Sequence, residues 1–76
     1  MTTQTLSVDA FGDTITIQYL PHSHQWFGPG SGTSHPDPNR VMTAELRRYI
    51  RESGDDPDGY DEFIADCLTE MRANDE

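Results

Sequence analysis

The sequence predicts an α+β domain: an N-terminal antiparallel β-hairpin, or a three-stranded sheet, packed against two C-terminal helices. Three observations carry this. Residues 3–20 alternate apolar and polar side chains with period two. Two later segments place apolar residues at helical spacing, each after an Asp-Pro pair. A Gly/Pro-rich stretch divides the two regimes. At 76 residues and 33 % apolar content, the chain fits one small domain, residues 1–76, with a thin core.

In the hairpin (3–20), Leu6, Val8 and Ala10 alternate with polar neighbours, as do Ile15, Ile17 and Tyr19. Phe11-Gly12-Asp13 supplies the turn, because glycine accepts the positive φ of a tight connection. Pro21 ends the ladder for want of an amide proton. Residues 21–37 hold all three histidines and three of the five prolines. His24-Gln25-Trp26-Phe27 can form a short third strand, whereas Gly28 to Gly32 reads as a loop. Asp37-Pro38 caps a first helix over 38–53, with Met42, Leu46, Tyr49 and Ile50 on its inner stripe and Gly54 as its stop. A second helix, started by Asp56-Pro57 or by Asp58-Gly59, spans 57–72, where Tyr60, Phe63, Ile64, Cys67, Leu68 and Met71 share one face. Phe63, Ile64 and Leu68 are expected to bury against the hairpin face that carries Ile15 and Ile17.

Charge is distributed unevenly. The formal net charge is −9, and all five basic residues are arginine. Residues 1–51 balance to zero, so the whole excess lies in residues 52–76, where ten acids face Arg72 alone. Such a surface repels phosphate backbones and anionic lipid, which argues against direct binding of nucleic acid or membrane. A basic protein surface is the complementary partner. No apolar run approaches a bilayer span. The first residues lack the basic cluster and apolar stretch of a secretory signal, and Cys67 has no disulfide partner, so a cytoplasmic setting is expected.

On the second helix, Glu62, Asp66 and Glu70 form an i, i+4, i+8 row opposite the apolar stripe. Neighbouring carboxylates in such a row lie about 6 Å apart, comparable to successive phosphates along one DNA strand. Asp55, Asp56, Asp58 and Asp61 extend the charge toward the helix start. The plain alternative is a solvated helix face, or the general acidity of a salt-adapted proteome, although the neutrality of residues 1–51 speaks against the latter. Trp26 or Phe27 can serve as an interface anchor, since aromatics dominate binding hot spots, or can cap the core. Arg40, Arg47 and Arg51 line the outer face of the first helix and are expected to pair in part with acids of the second.

His22, His24 and His35, with Cys67 or an aspartate, offer an alternative zinc site, though their spacing matches no familiar module and no cofactor is expected. Asp56-Pro57-Asp58-Gly59 has the look of a calcium loop, but that alignment puts Gly54 and Ala65 where acidic ligands are needed. No nucleophile elbow occurs, and the absence of lysine removes a phosphate-binding loop of the Lys-Ser/Thr type.

In size and acidity the chain resembles small inhibitors encoded by phages and mobile elements, such as anti-CRISPR proteins and other DNA mimics. The resemblance rests on composition rather than on a motif. It implies a non-enzymatic inhibitor whose acidic helix occupies the nucleic-acid channel of a CRISPR effector or a similar complex. The other readings are an antitoxin-like or salt-adapted interaction domain and a histidine-loop zinc protein.

Overall fold

The computed structural model describes residues 4–74. Strands β1 (Thr5–Ala10), β2 (Asp13–Leu20), β3 (Gln25–Gly28) and β4 (Thr33–His35) form an antiparallel meander. Helices α1 (Pro38–Glu52) and α2 (Asp61–Thr69) follow, and β5 (Arg72–Asn74) returns to pair antiparallel with β1. The sheet order is β4-β3-β2-β1-β5. This is the expected α+β class, with five strands rather than two or three.

The β1–β2 connection is a two-residue turn in which Phe11 and Gly12 both have positive φ, 56° and 77°, while Ala10 pairs with Asp13. That pattern matches the right-handed twist of the strands. Residues 21–37 are not one long loop. Leu20 pairs with Gln25 across a four-residue turn that ends on His24 at φ 55°, and Gly28 pairs with Thr33 across a second turn that ends on Gly32 at φ 71°. The prolines and glycines thus punctuate two hairpins.

The α1 boundaries follow the local chemistry. Asp37 Oδ1 accepts from the Asn39 amide at 2.9 Å, and Pro38 takes the first helical position. At the other end Gly54 adopts φ 90°, and the Asp55 amide returns to the Ile50 carbonyl at 3.2 Å. The second helical segment is shorter than 57–72. Asp56 caps a single 3₁₀ turn, Pro57–Tyr60, before α2 begins at Asp61. A stretch of Asp, Pro and Gly propagates an α-helix poorly. α2 closes at Thr69, and the chain then extends into β5 instead of continuing to residue 72.

One face of the sheet buries Val8, Ala10 and Ile17 against Val41, Met42, Leu46 and Ile50 of α1 and Ile64 and Cys67 of α2. Leu68 is half-buried against this core, as expected. Phe63 is not buried: it is 36 % exposed at the flank of α2. The inward positions of so short a helix are taken by Ile64 and Cys67, three residues apart, and Phe63 falls one residue outside that stripe.

Glu45 is a buried carboxylate, 7 % exposed, at the inner face of α1. Its Oε1 accepts from the Gly30 amide at 2.9 Å, which ties the β3–β4 turn to the helix. A β-carbon at Gly28 would stand 2.8 Å from Glu45 Cγ, and one at Gly30 would stand 2.5 Å from Oε2. Glycine is favoured most strongly at Gly28, where a β-carbon would press on the inner methylene of Glu45, while at Gly30 it would meet the carboxylate tip.

Candidate functional site

The acidic row survives the shortening of the helix. Glu62 and Asp66 lie on α2, Glu70 is its C-terminal cap, and all three are exposed. None of them makes an ion pair among the described residues. The acids nearer the start of the segment are engaged differently. Asp56 caps the 3₁₀ turn through the Asp58 amide at 3.0 Å, and Asp55 accepts from the Tyr60 hydroxyl at 2.9 Å. Asp58 and Asp61 face Arg47 of α1, at 2.6 and 3.6 Å. Both carboxylates are about three-quarters exposed (74 and 75 %), so these pairs contribute at most about 1 kcal/mol. They do, however, reduce the local field around Asp58 and Asp61. Asp75 and Glu76 lie outside the described residues.

The arginines are shared among several places. Arg47 meets the acids as expected, Arg48 pairs with Glu52 at 2.8 Å, and Arg72 joins Asp9 at 2.8 Å. Arg40 and Arg51 make no ion pair among the described residues. Two open grooves of about 440 and 560 Å³ between β4 and α1 share Thr33, Ala44 and Arg47, with Arg40 lining the first and Arg48 and Arg51 the second, and no carboxylate of the Glu62 row lines either.

The histidines are dispersed. His22 and His24 sit exposed in the β2–β3 turn, where His24 Nδ1 is 3.3 Å from the Tyr19 hydroxyl. His35 lies on β4 opposite Trp26, and its Nδ1 accepts from the Asp37 amide at 3.0 Å. Among the described residues, no group of three or more His, Cys, Asp or Glu side chains is placed to hold a metal ion. Cys67 is buried in the core, and burial, reinforced by Glu70 and then Asp66, raises its thiol above the usual range. It is held as a neutral packing group rather than as a thiolate.

Trp26 and Phe27 are both half-buried in β3. Trp26 packs against the core and lies 5.3 Å from the Tyr19 ring. Phe27, paired with Gln18 and Ser34, falls on the alternate face of the sheet.

The exposed aromatic surface lies elsewhere. Phe11 and Phe63 are the large apolar side chains exposed among the described residues, at 40 and 36 %, and they touch, with ring centroids 4.9 Å apart. Phe11 stacks nearly parallel on Tyr49 at 5.0 Å, and Tyr60 meets both phenylalanines edge-on at 6.2 Å. The two tyrosine hydroxyls donate to carboxylates: Tyr49 to Asp13 at 2.8 Å and Tyr60 to Asp55 at 2.9 Å. These hydrogen bonds, more than anything else, raise both phenols above their ordinary range. Phe11 stands at a position where left-handed backbone costs a bulky residue about 1–2 kcal/mol. Its ring contacts return a comparable amount, since an aromatic pair is worth about 0.5–1.5 kcal/mol. A phenylalanine where such turns favour Asn, Asp or Gly was the sequence signal for this cluster.

No helix among the described residues is long and apolar enough to cross a membrane. No protein-family model, curated protein or solved structure matches the chain.

Proposed function

We propose that this chain is a non-enzymatic inhibitor of the cell cytoplasm that binds a basic, nucleic-acid-binding protein surface, most concretely the nucleic-acid channel of a CRISPR effector. The observation that carries the reading is the segregation of charge. Glu62, Asp66 and Glu70 project from one short segment without an ion pair among the described residues, while the first 51 residues balance to zero. Carboxylates at helical spacing present to arginines and lysines what successive phosphates present. Asp55, Asp56, Asp58 and Asp61 enlarge the field that steers association, and that steering makes the on-rate sensitive to salt. A chain whose acidity reflected a salt-rich cell would carry it throughout; here residues 1–51 balance to zero.

The test is release of bound duplex. Purified protein is added to a panel of nucleic-acid-binding complexes, CRISPR effectors included, each holding fluorescent DNA. Release from one of them, weakened by salt and lost when Glu62, Asp66 and Glu70 are changed together to Gln, Asn and Gln, is the expected result. Equal release by the parent and the folded triple variant, or release from no complex in the panel, would count against the reading.

A further inference from the structure

We propose that the aromatic face formed by Phe11, Tyr49, Tyr60 and Phe63 is a receptor for an arginine side chain of the basic protein partner. This deepens the function proposed above and rests on its basic partner. The face joins three separate parts of the fold: the β1–β2 turn, the last turns of α1, and the start of the acidic segment. Phe11 and Phe63 present exposed rings, and Tyr49 and Tyr60 back them.

Charge identifies the occupant. Each tyrosine hydroxyl donates a hydrogen bond to a carboxylate, Tyr49 to Asp13 and Tyr60 to Asp55. A phenol that donates to an anion has a more electron-rich ring, which favours a cation over its face. Each carboxylate uses one oxygen for its tyrosine, and Asp13 Oδ1 and Asp55 Oδ1 have no partner among the described residues. The rim therefore offers fixed acceptors beside π-faces. A guanidinium fits both, because it stacks flat on an aromatic ring and still donates in its own plane; an ammonium does so less well. A nucleobase can also stack on such rings, but its phosphates would meet a chain of net charge −9.

Phe11 permits a clean test. Asparagine accepts positive φ and is favoured in this turn, so Phe11→Asn removes a ring while preserving the hairpin. The probes are three capped tripeptides with Arg, Lys or citrulline between glycines, citrulline being the neutral isostere of arginine. Binding is followed through the ring resonances of Phe11, Tyr49 and Phe63. The arginine peptide is expected to move these resonances saturably and the citrulline peptide to leave them still. Phe11→Asn should weaken the arginine peptide roughly two- to fivefold, the scale of one exposed cation–π contact. Asp13→Asn with Asp55→Asn should weaken it further. Equal response to arginine and citrulline, an unchanged affinity in folded Phe11→Asn, or no ring response at all would overturn the proposal. The peptide result is independent of duplex release, so a failure of the arginine site and a failure of the inhibitor reading are distinguishable.

Discussion

Replacing Gly28 with alanine tests the packing between the β3–β4 turn and α1. The added methyl would stand 2.8 Å from Glu45 Cγ and 2.9 Å from Cδ, inside normal contact distance, and Glu45 is 7 % exposed with little room to retreat. If the side chain holds its place, the overpacking costs about 1–3 kcal/mol. If it swings outward instead, the Gly30 amide loses its acceptor at 2.9 Å, and a hydrogen bond to a charged group is worth about 1.5–3 kcal/mol. Alanine recovers about 0.4–1 kcal/mol by restricting the unfolded chain. The net loss is therefore about 1–2 kcal/mol, which in a domain of this size lowers Tm by roughly 5–15 °C. A double-mutant cycle with Glu45→Ala, read by thermal melts and urea unfolding, isolates the contact. With the carboxylate gone, Gly28→Ala should cost almost nothing or stabilise slightly. The same cost in both backgrounds would show that the glycine is required for some reason other than Glu45.

Further expectations concern other parts of the molecule. Leu46, fully buried on α1, should lose about 2–5 kcal/mol on truncation to alanine, whereas Phe63→Ala should cost roughly 1 kcal/mol, and urea melts of the two variants separate these cases. Tyr49 and Tyr60 should ionise above the ordinary tyrosine value of about 10. A raised folded-state pKa means that their contribution to stability is complete below about pH 10 and fades as pH climbs through the folded-state values; ultraviolet titration with Asp13→Asn should bring one phenol back down. Cys67 should react with a thiol reagent at neutral pH only as fast as the protein opens, and denaturant should release the reaction. A chelator should leave Tm unchanged, because His22, His24 and His35 are spread over a turn and a separate strand.

What was legible in the sequence was what short-range rules decide. Alternation and a glycine turn mark β1 and β2, and the Asp37-Pro38 cap and Gly54 bracket α1 to within one residue. The short strands were not legible in the same way. Thr33–His35 and Arg72–Asn74 are three residues each, without an apolar alternation of their own, and exist because β3 and β1 offer an open edge. The phase of α2 failed at Phe63 because six apolar positions suited a sixteen-residue helix, while only nine residues are α-helical. Of the site, the acidic row was visible as spacing. The aromatic face showed only as an unusual phenylalanine in the β1–β2 turn, since it joins residues 11, 49, 60 and 63 through tertiary packing. Nor does any local pattern connect Gly28 and Gly30 to a glutamate on the next helix.

The most direct measurement of the central claim is the salt dependence of binding to the complex from which duplex is released. Affinities of the parent and of Glu62→Gln/Asp66→Asn/Glu70→Gln are measured across a salt series, with circular dichroism to show that both are folded. Removing like charges relieves repulsion along α2, so the variant should be at least as stable as the parent. If these carboxylates stand in for phosphates, the parent's affinity falls steeply with salt while the variant binds weakly with a much shallower slope. Two parallel slopes at similar affinity would contradict the account and remove the acidic row from the mechanism.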